Sequence, residues 1–210
     1  MNTVKEEFSI IYEELGQVEN EIDDVTKGGS NPDLDQETID KILSIPKGER
    51  PDPSTYLSQD YIDKHLSQFQ DGGAYVMTRD QYDMFVDGKL NIGREDNTLF
   101  ITSKGYLDAI ESSANGDLSV FEEKLGFEEG HFQDGGGLVR IDIKNPSDFN
   151  MRIPSGNEAG ANEYFIPGGY TSGGTPEVVV NNIPNSDDFR IIRFMGEEKW
   201  DGERLIVRSY

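Results

Sequence analysis

The residues best suited to chemistry lie in one stretch, Arg152 to Val180, reading RIPSGNEAGANEYFIPGGYTSGGTPEVVV. Gly156, Gly160, Gly168, Gly169, Gly173 and Gly174 let the backbone turn and approach a flat ligand. Among them stand the carboxylates Glu158, Glu163 and Glu177, the amides Asn157 and Asn162, and the aromatics Tyr164, Phe165 and Tyr170. Glu177 directly precedes Val178-Val179-Val180, which reads as a core strand. Its carboxylate is expected on a rigid element, facing the cleft that the loop makes. A group so held stabilises a cation or acts as a base. The aromatics are read as stacking surfaces, and Asn157 and Asn162 as hydrogen-bonding groups for an amide or a ribose. Glu158 and Glu163 flank Gly160-Ala161-Asn162 and rank behind Glu177, shaping the loop or touching substrate.

Other chemistries leave no pattern. The glycines lack the lysine and hydroxyl of a phosphate-binding loop, and no strand–glycine–helix fingerprint is present. There is no Gly-x-Ser-x-Gly turn. Asp33, Asp35 and Glu37 alternate but miss the calcium-loop offsets, so they are read as cap and solvent residues. The chain has no cysteine, which excludes disulfides and thiolate metal sites, and its histidines, His65 and His131, are far apart in sequence. A formal net charge of −22 argues against binding nucleic acid through its phosphates and against anionic membranes. It fits a solubility feature, an acidic surface for a basic partner, or mimicry of nucleic acid. With no long apolar run and no basic-then-apolar leader, the chain is expected neither to span a membrane nor to carry a secretory signal.

The elements that must position these residues are read as α+β. Val4, Phe8, Ile11, Leu15, Val18, Ile22 and Val25 follow a heptad seam, predicting an amphipathic helix over 1–26 that packs on its own domain or docks a partner helix. A short helix is expected over 35–45, capped by Asp33 or Asp35, with Ile39, Ile42, Leu43 and Ile45 inward. The prolines of 46–53 read as a linker, dividing a helical region (1–53) from an α+β domain (54–210). In that domain, helices are expected from Ser58 to Gln70, after Thr78, after Ser103 and over 118–125. Strands are expected at 74–77, 98–102, 138–143, 149–153, 177–183 and 189–194. A last strand at 204–207 is expected to pair with 189–194 through Asp201-Gly202. Helices first and strands later suggest a mixed or antiparallel β core.

Two resemblances add to this. From about Ser54 the chain resembles the C-terminal toxin domains of bacterial polymorphic toxins, the type VII-like exported kind that follow a long helical targeting region. The matching words are Tyr56-Leu57-Ser58-x-x-Tyr61-Ile62-x-x-His65-Leu66, Gly93-Arg94-x-Asp96, Leu138-Val139-Arg140-Ile141-Asp142-Ile143, Pro154-Ser155-Gly156-Asn157-Glu158-x-Gly160-Ala161-Asn162 and Ile166-Pro167-Gly168-Gly169. Phe165-x-Pro167-Gly168-Gly169 followed by Gly173-Gly174-Thr175-Pro176-Glu177 is similar to the tail of secreted NAD-glycohydrolase toxins, with Glu where those have Gln and Tyr170 to Ser172 interposed. Glu177-Val178-Val179-Val180 also resembles the catalytic strand of ADP-ribosyltransferases.

These resemblances imply a secreted toxin that consumes NAD as substrate without a metal, by hydrolysis or ADP-ribosyl transfer, on an ADP-ribosyltransferase-like fold. Glu177 would stabilise the ribosyl cation and Phe165 would stack on nicotinamide. An arginine would hold the diphosphate, with Arg94 preferred for its polar turn and Arg140 the alternative. Ser155 stands nearest to the Ser-Thr-Ser strand of the transferases. Thr175, two residues before Glu177, is not the acidic or amide residue expected for transfer to arginine. The implied partners are a cognate immunity protein and a helical delivery or chaperone partner for residues 4–25. Export would follow a leaderless route, with action in the target-cell cytoplasm. The alternatives are a nuclease toxin using Glu158 or Glu163, and a non-catalytic acidic binding or immunity module.

Overall fold

The computed structural model describes residues 34–195 and two short strands at 198–200 and 205–207. The expected heptad helix at 1–26 lies outside them. The fold is α+β, with helices packed around a five-stranded antiparallel sheet. In chain order the helices are α1 (Gln36–Ser44), α2 (Gln59–Ser67), α3 (Arg79–Phe85), α4 (Lys104–Ala114), α5 (Leu118–Leu125) and α6 (His131–Asp134). The strands are β1 (Gly73–Thr78), β2 (Asn91–Ile92), β3 (Leu99–Ser103), β4 (Leu138–Ile143), β5 (Glu177–Val180), β6 (Ile183–Pro184), β7 (Arg190–Met195), β8 (Glu198–Trp200) and β9 (Leu205–Val207). The main sheet runs β5-β3-β1-β4-β7. No helix among the described residues is long and apolar enough to cross a membrane.

Local chemistry explains most boundaries. The Asp35 carboxylate accepts from the Thr38 N–H and starts α1, and the Ser58 hydroxyl does the same for Tyr61 in α2. Thr78 and Gln81 form a reciprocal capping box at α3. Asn115 at φ 48° and Gly126 at φ 76° end α4 and α5 in the left-handed region. Ser103 precedes α4 as expected, but its hydroxyl donates to the Gln68 carbonyl at 2.7 Å instead of capping. Leu43, expected inward, is exposed on α1, whereas Ile39 and Ile42 are buried.

Every residue of β4 is buried, because both faces of the sheet are covered. Val139, Ile141 and Ile143 pack with Met77, Ile101, Val178 and Val180 on one side. Leu138 turns to the other, under Leu107, Phe121 and Phe132 of the helices. Arg140 shares that helical side and is fully buried. Its guanidinium meets Asp108 at 2.5 Å, Glu111 at 2.7 Å and Asp142 at 2.6 Å, and Arg193 reaches Asp142 at 2.8 Å. The network spreads one buried cation over three carboxylates, the compensation a charge needs in the interior.

Four expectations are corrected. Residues 149–153 do not form a sheet strand. Pro146 opens a 3₁₀ turn to Phe149, Asn150 takes φ 54°, and Arg152 alone bridges Val179. The run 177–183 divides, β5 joining the main sheet and β6 pairing with β2. β9 pairs with β8, not with β7, which lies along the whole of β4. Finally, 46–53 is no free linker. Leu34 and Ile39 pack with Leu57, Tyr61 and Ile153, so α1 shares a core with residues beyond 54, and 47–50 bond to the 156–161 loop.

Replacing Arg140 by Met keeps its volume but leaves Asp142 buried with Arg193 as its remaining cation. Arg140→Met is expected to lower the unfolding free energy by about 3 kcal/mol, read by urea denaturation.

Candidate functional site

Glu177 opens β5, opposite Thr102 of β3. Thr102 stands beside Ala74 of β1, and Ala74 beside Asp142 of β4. At the strand spacing of antiparallel sheets, Glu177 lies roughly 14 Å along this row from Asp142. Helix α4 covers the Asp142 end. Over the Glu177 end, the helical face opens into a cavity of about 430 Å³.

The backbone of Glu177 is held on both sides. Its N–H donates to the Gly169 carbonyl at 2.7 Å. Its carbonyl accepts from His65 Nε2 at 3.0 Å, which assigns the proton to that nitrogen, since a carbonyl oxygen only accepts. Burial among Tyr61, Phe69 and Tyr170 lowers the His65 pKa and keeps the ring neutral. Gly169, at φ 86°, is required here: a Cβ would stand 2.6 Å from His65 Nε2.

The Glu177 side chain has no hydrogen-bond or ion-pair partner among the described residues, and it lines the cavity. Loss of water around the carboxylate, with a smaller contribution from the negative charge of Glu158, pushes its pKa up to about 7. The strand supplies the rigidity, and the walls of the cavity leave the carboxylate half-buried. The outcome is a carboxylate poised between its two states at neutral pH.

Arg94 lines the same cavity from the turn between β2 and β3. That turn is closed by bonds of the Arg94 N–H to Thr98 O at 3.0 Å and of the Asn182 amide to Arg94 O at 2.8 Å. Among the described residues its guanidinium has neither hydrogen bond nor ion pair. Gly160 lets it lie against the loop, since a Cβ there would come within 2.9 Å of Arg94 Nε. Phe165, Asn162, Tyr164 and Tyr170 reach the cavity from the glycine-rich loop. Phe165 is mostly buried and has the Arg50 guanidinium 5.3 Å from its ring centre. Asn162 spends its carbonyl oxygen on the Tyr164 N–H at 3.0 Å.

The other expected site residues lie elsewhere. Arg140 is no ligand-binding residue: it is sealed in its carboxylate network, away from the cavity lining. Asn157 is fully engaged with Gly48 and Arg50. Glu158 accepts from Ser155 N–H, Ser155 Oγ and Gly156 N–H at 3.0, 3.1 and 2.8 Å, so it and Ser155 shape the loop. Glu163 is exposed and off the cavity lining.

Sequence reasoning missed Tyr75, Phe100 and His131 as cavity residues. Phe100 comes from a strand whose side-chain direction is settled only by sheet assembly, and Tyr75 borders the cavity from β1 while its ring packs against the core on the other face. His131 stacks on Phe127 at 4.6 Å, and its Nε2 is buried without a hydrogen-bond partner among the described residues. A histidine in a short polar stretch gave no signal of this.

No family model and no curated protein matches the chain. The residues themselves therefore carry the functional reading. Because the folded pKa of Glu177 lies above its ordinary value of 4.5, the fold favours the protonated acid. Its contribution to stability is undiminished below about pH 4.5, falls as pH rises through about 7, and stays lowered above that. Glu177→Gln removes the penalty. The variant is expected to match the wild type at pH 4 and to exceed it at pH 8 by at most about 3 kcal/mol, less as solvent in the cavity screens the charge. Thermal unfolding at both pH values checks this.

Proposed function

We propose that the cavity is an active site that consumes NAD by breaking the bond between nicotinamide and ribose. The observation that carries this reading is a carboxylate and a guanidinium, each without a partner among the described residues, lining one aromatic-walled cavity. As the carbon–nitrogen bond breaks, its electron pair leaves with nicotinamide and positive charge develops on the ribose. A desolvated carboxylate without a counter-ion interacts more strongly with that developing cation than with the neutral sugar, which lowers the barrier. In this reading Glu177 faces the ribose, Phe165 and Tyr170 flank the nicotinamide ring, and Arg94 holds the diphosphate. Water completes hydrolysis by adding to the ribose carbon and losing a proton. No step requires a metal.

Hydrolysis is favoured over transfer to an arginine side chain. Thr175, where such transfer places an acidic or amide group, is buried, and its hydroxyl donates to the Lys124 carbonyl at 2.7 Å. A nuclease built on Glu158 or Glu163 has less support, since Glu158 is bound by three donors and Glu163 stands off the cavity. With the resemblance to polymorphic toxins, the reading extends to a toxin exported by a leaderless route. It would be held in check by an immunity protein and linked through residues 4–25 to a delivery partner.

Incubating the purified chain with NAD is expected to release nicotinamide. Glu177→Gln should cut kcat at least about 100-fold, the scale of losing one charge-stabilising group. Arg94→Ala should act mainly through KM. Because the ionised carboxylate is the working form, kcat/KM should rise with pH through about 7. Absence of nicotinamide release at high protein concentration, with and without acceptor proteins, rejects the proposal.

A further inference from the structure

The loop that walls the cavity is bonded to itself and, to a similar extent, to a segment more than a hundred residues earlier. Asn157 Oδ1 accepts from the Gly48 N–H at 2.7 Å and the Arg50 N–H at 3.1 Å, and its Nδ2 donates to Arg50 O at 2.9 Å. Arg50 Nη1 donates to Gly156 O at 3.1 Å, while the same guanidinium lies over the Phe165 ring. Gly156 makes this approach possible, since a Cβ there would come within 2.5 Å of both Arg50 Nη1 and Phe165 Cε1. Lys47 Nζ donates to Ala159 O at 3.2 Å and Ala161 O at 2.7 Å. From the opposite side, the Asp96 carboxylate accepts from the Ala159 N–H at 2.7 Å.

We infer that residues 45–50 form a strap that positions the cavity wall, with Asn157 as its anchor and Lys47 as its second tie. The strap is suited to this. Pro46 and Pro51 restrict its backbone, the Glu49 N–H closes a turn on Pro46 O at 3.0 Å, and Gly48 at φ 96° completes the turn. Its upstream end continues into α1, whose Ile39 is buried with Leu57, Tyr61 and Ile153. Gly160, Ala161, Asn162 and Phe165, all carried by the strapped segment, line the cavity. A displacement of α1 therefore pulls on the wall beside Glu177, and binding events on the chain ahead of the strap acquire a mechanical route to the site. Asn157 and Lys47 act as positioning residues and do not touch the substrate. That the wall serves a ligand rests on the NAD reading; that the strap holds the wall does not.

The test is hydrogen–deuterium exchange on the full chain, with NAD turnover run in parallel. Asn157→Ala is expected to speed exchange across 158–165 at least tenfold, and Lys47→Ala several-fold, with Lys47→Arg close to wild type and 138–143 within twofold of wild type throughout. In turnover, Asn157→Ala should raise KM at least fivefold and change kcat less. Unchanged exchange at 158–165 in Asn157→Ala overturns the inference. So does acceleration shared equally with 138–143, which makes these residues general stabilisers. If the wild type turns over no NAD, the exchange result still decides the strap while the NAD reading fails alone.

Discussion

The hydrogen bond from the neutral His65 imidazole to the Glu177 carbonyl, together with the bond from Glu177 N–H to Gly169, fixes the point on which the site depends. One joins helix α2 to the mouth of β5, and the other closes the glycine-rich loop on the same residue. Burial holds the imidazole uncharged and sets its tautomer, so the donor faces the carbonyl at neutral pH. With its backbone held from both sides, Glu177 can aim its side chain only where the sheet directs it. That direction is toward the cavity.

The molecule treats the charges of Arg140, which is buried, and Glu177, which is half-buried, in opposite ways. Arg140 is enclosed by Asp108, Glu111 and Asp142 and makes charge-assisted bonds to each. Glu177 receives no counter-ion among the described residues and retains a desolvation cost. A compensated charge fixes how α4 sits on the sheet and has nothing left to offer a ligand. An uncompensated one gains most when a cation arrives. This contrast, more than the residue types, separates the structural arginine from the candidate catalytic carboxylate.

The glycine-rich loop divides its polar groups by the same logic. Asn157, Glu158 and Ser155 face inward to their own backbone or to the strap, where unsatisfied amides would be costly. Asn162, Phe165 and Tyr170 reach the cavity. In the linear sequence both sets look alike, as amides, carboxylates and aromatics between glycines. Which of them is consumed by structure depends on what approaches from residues 45–50 and from Asp96, more than sixty positions away in the chain.

The sequence by itself determined much of the local structure. Asp35, Ser58, Thr78 and Asp117 carry cap chemistry that starts helices where they were expected, and the alternation in 138–143 made a strand. It also placed Glu177 at a strand mouth, because a carboxylate next to three valines has no other economical position in a sheet. These are short-range effects, decided by a residue and its neighbours within a turn or two. Strand partners were decided only by the tertiary structure: β7 chose β4, leaving β9 to β8, and the 177–183 run divided between two sheets. Tertiary structure also buried Arg140, turned the proline-rich stretch from a linker into a strap, and brought Arg94 to the cavity of Glu177. Each of these depends on groups far apart in the chain competing for the same buried space and the same hydrogen-bond partners, a competition that residue type and spacing do not encode.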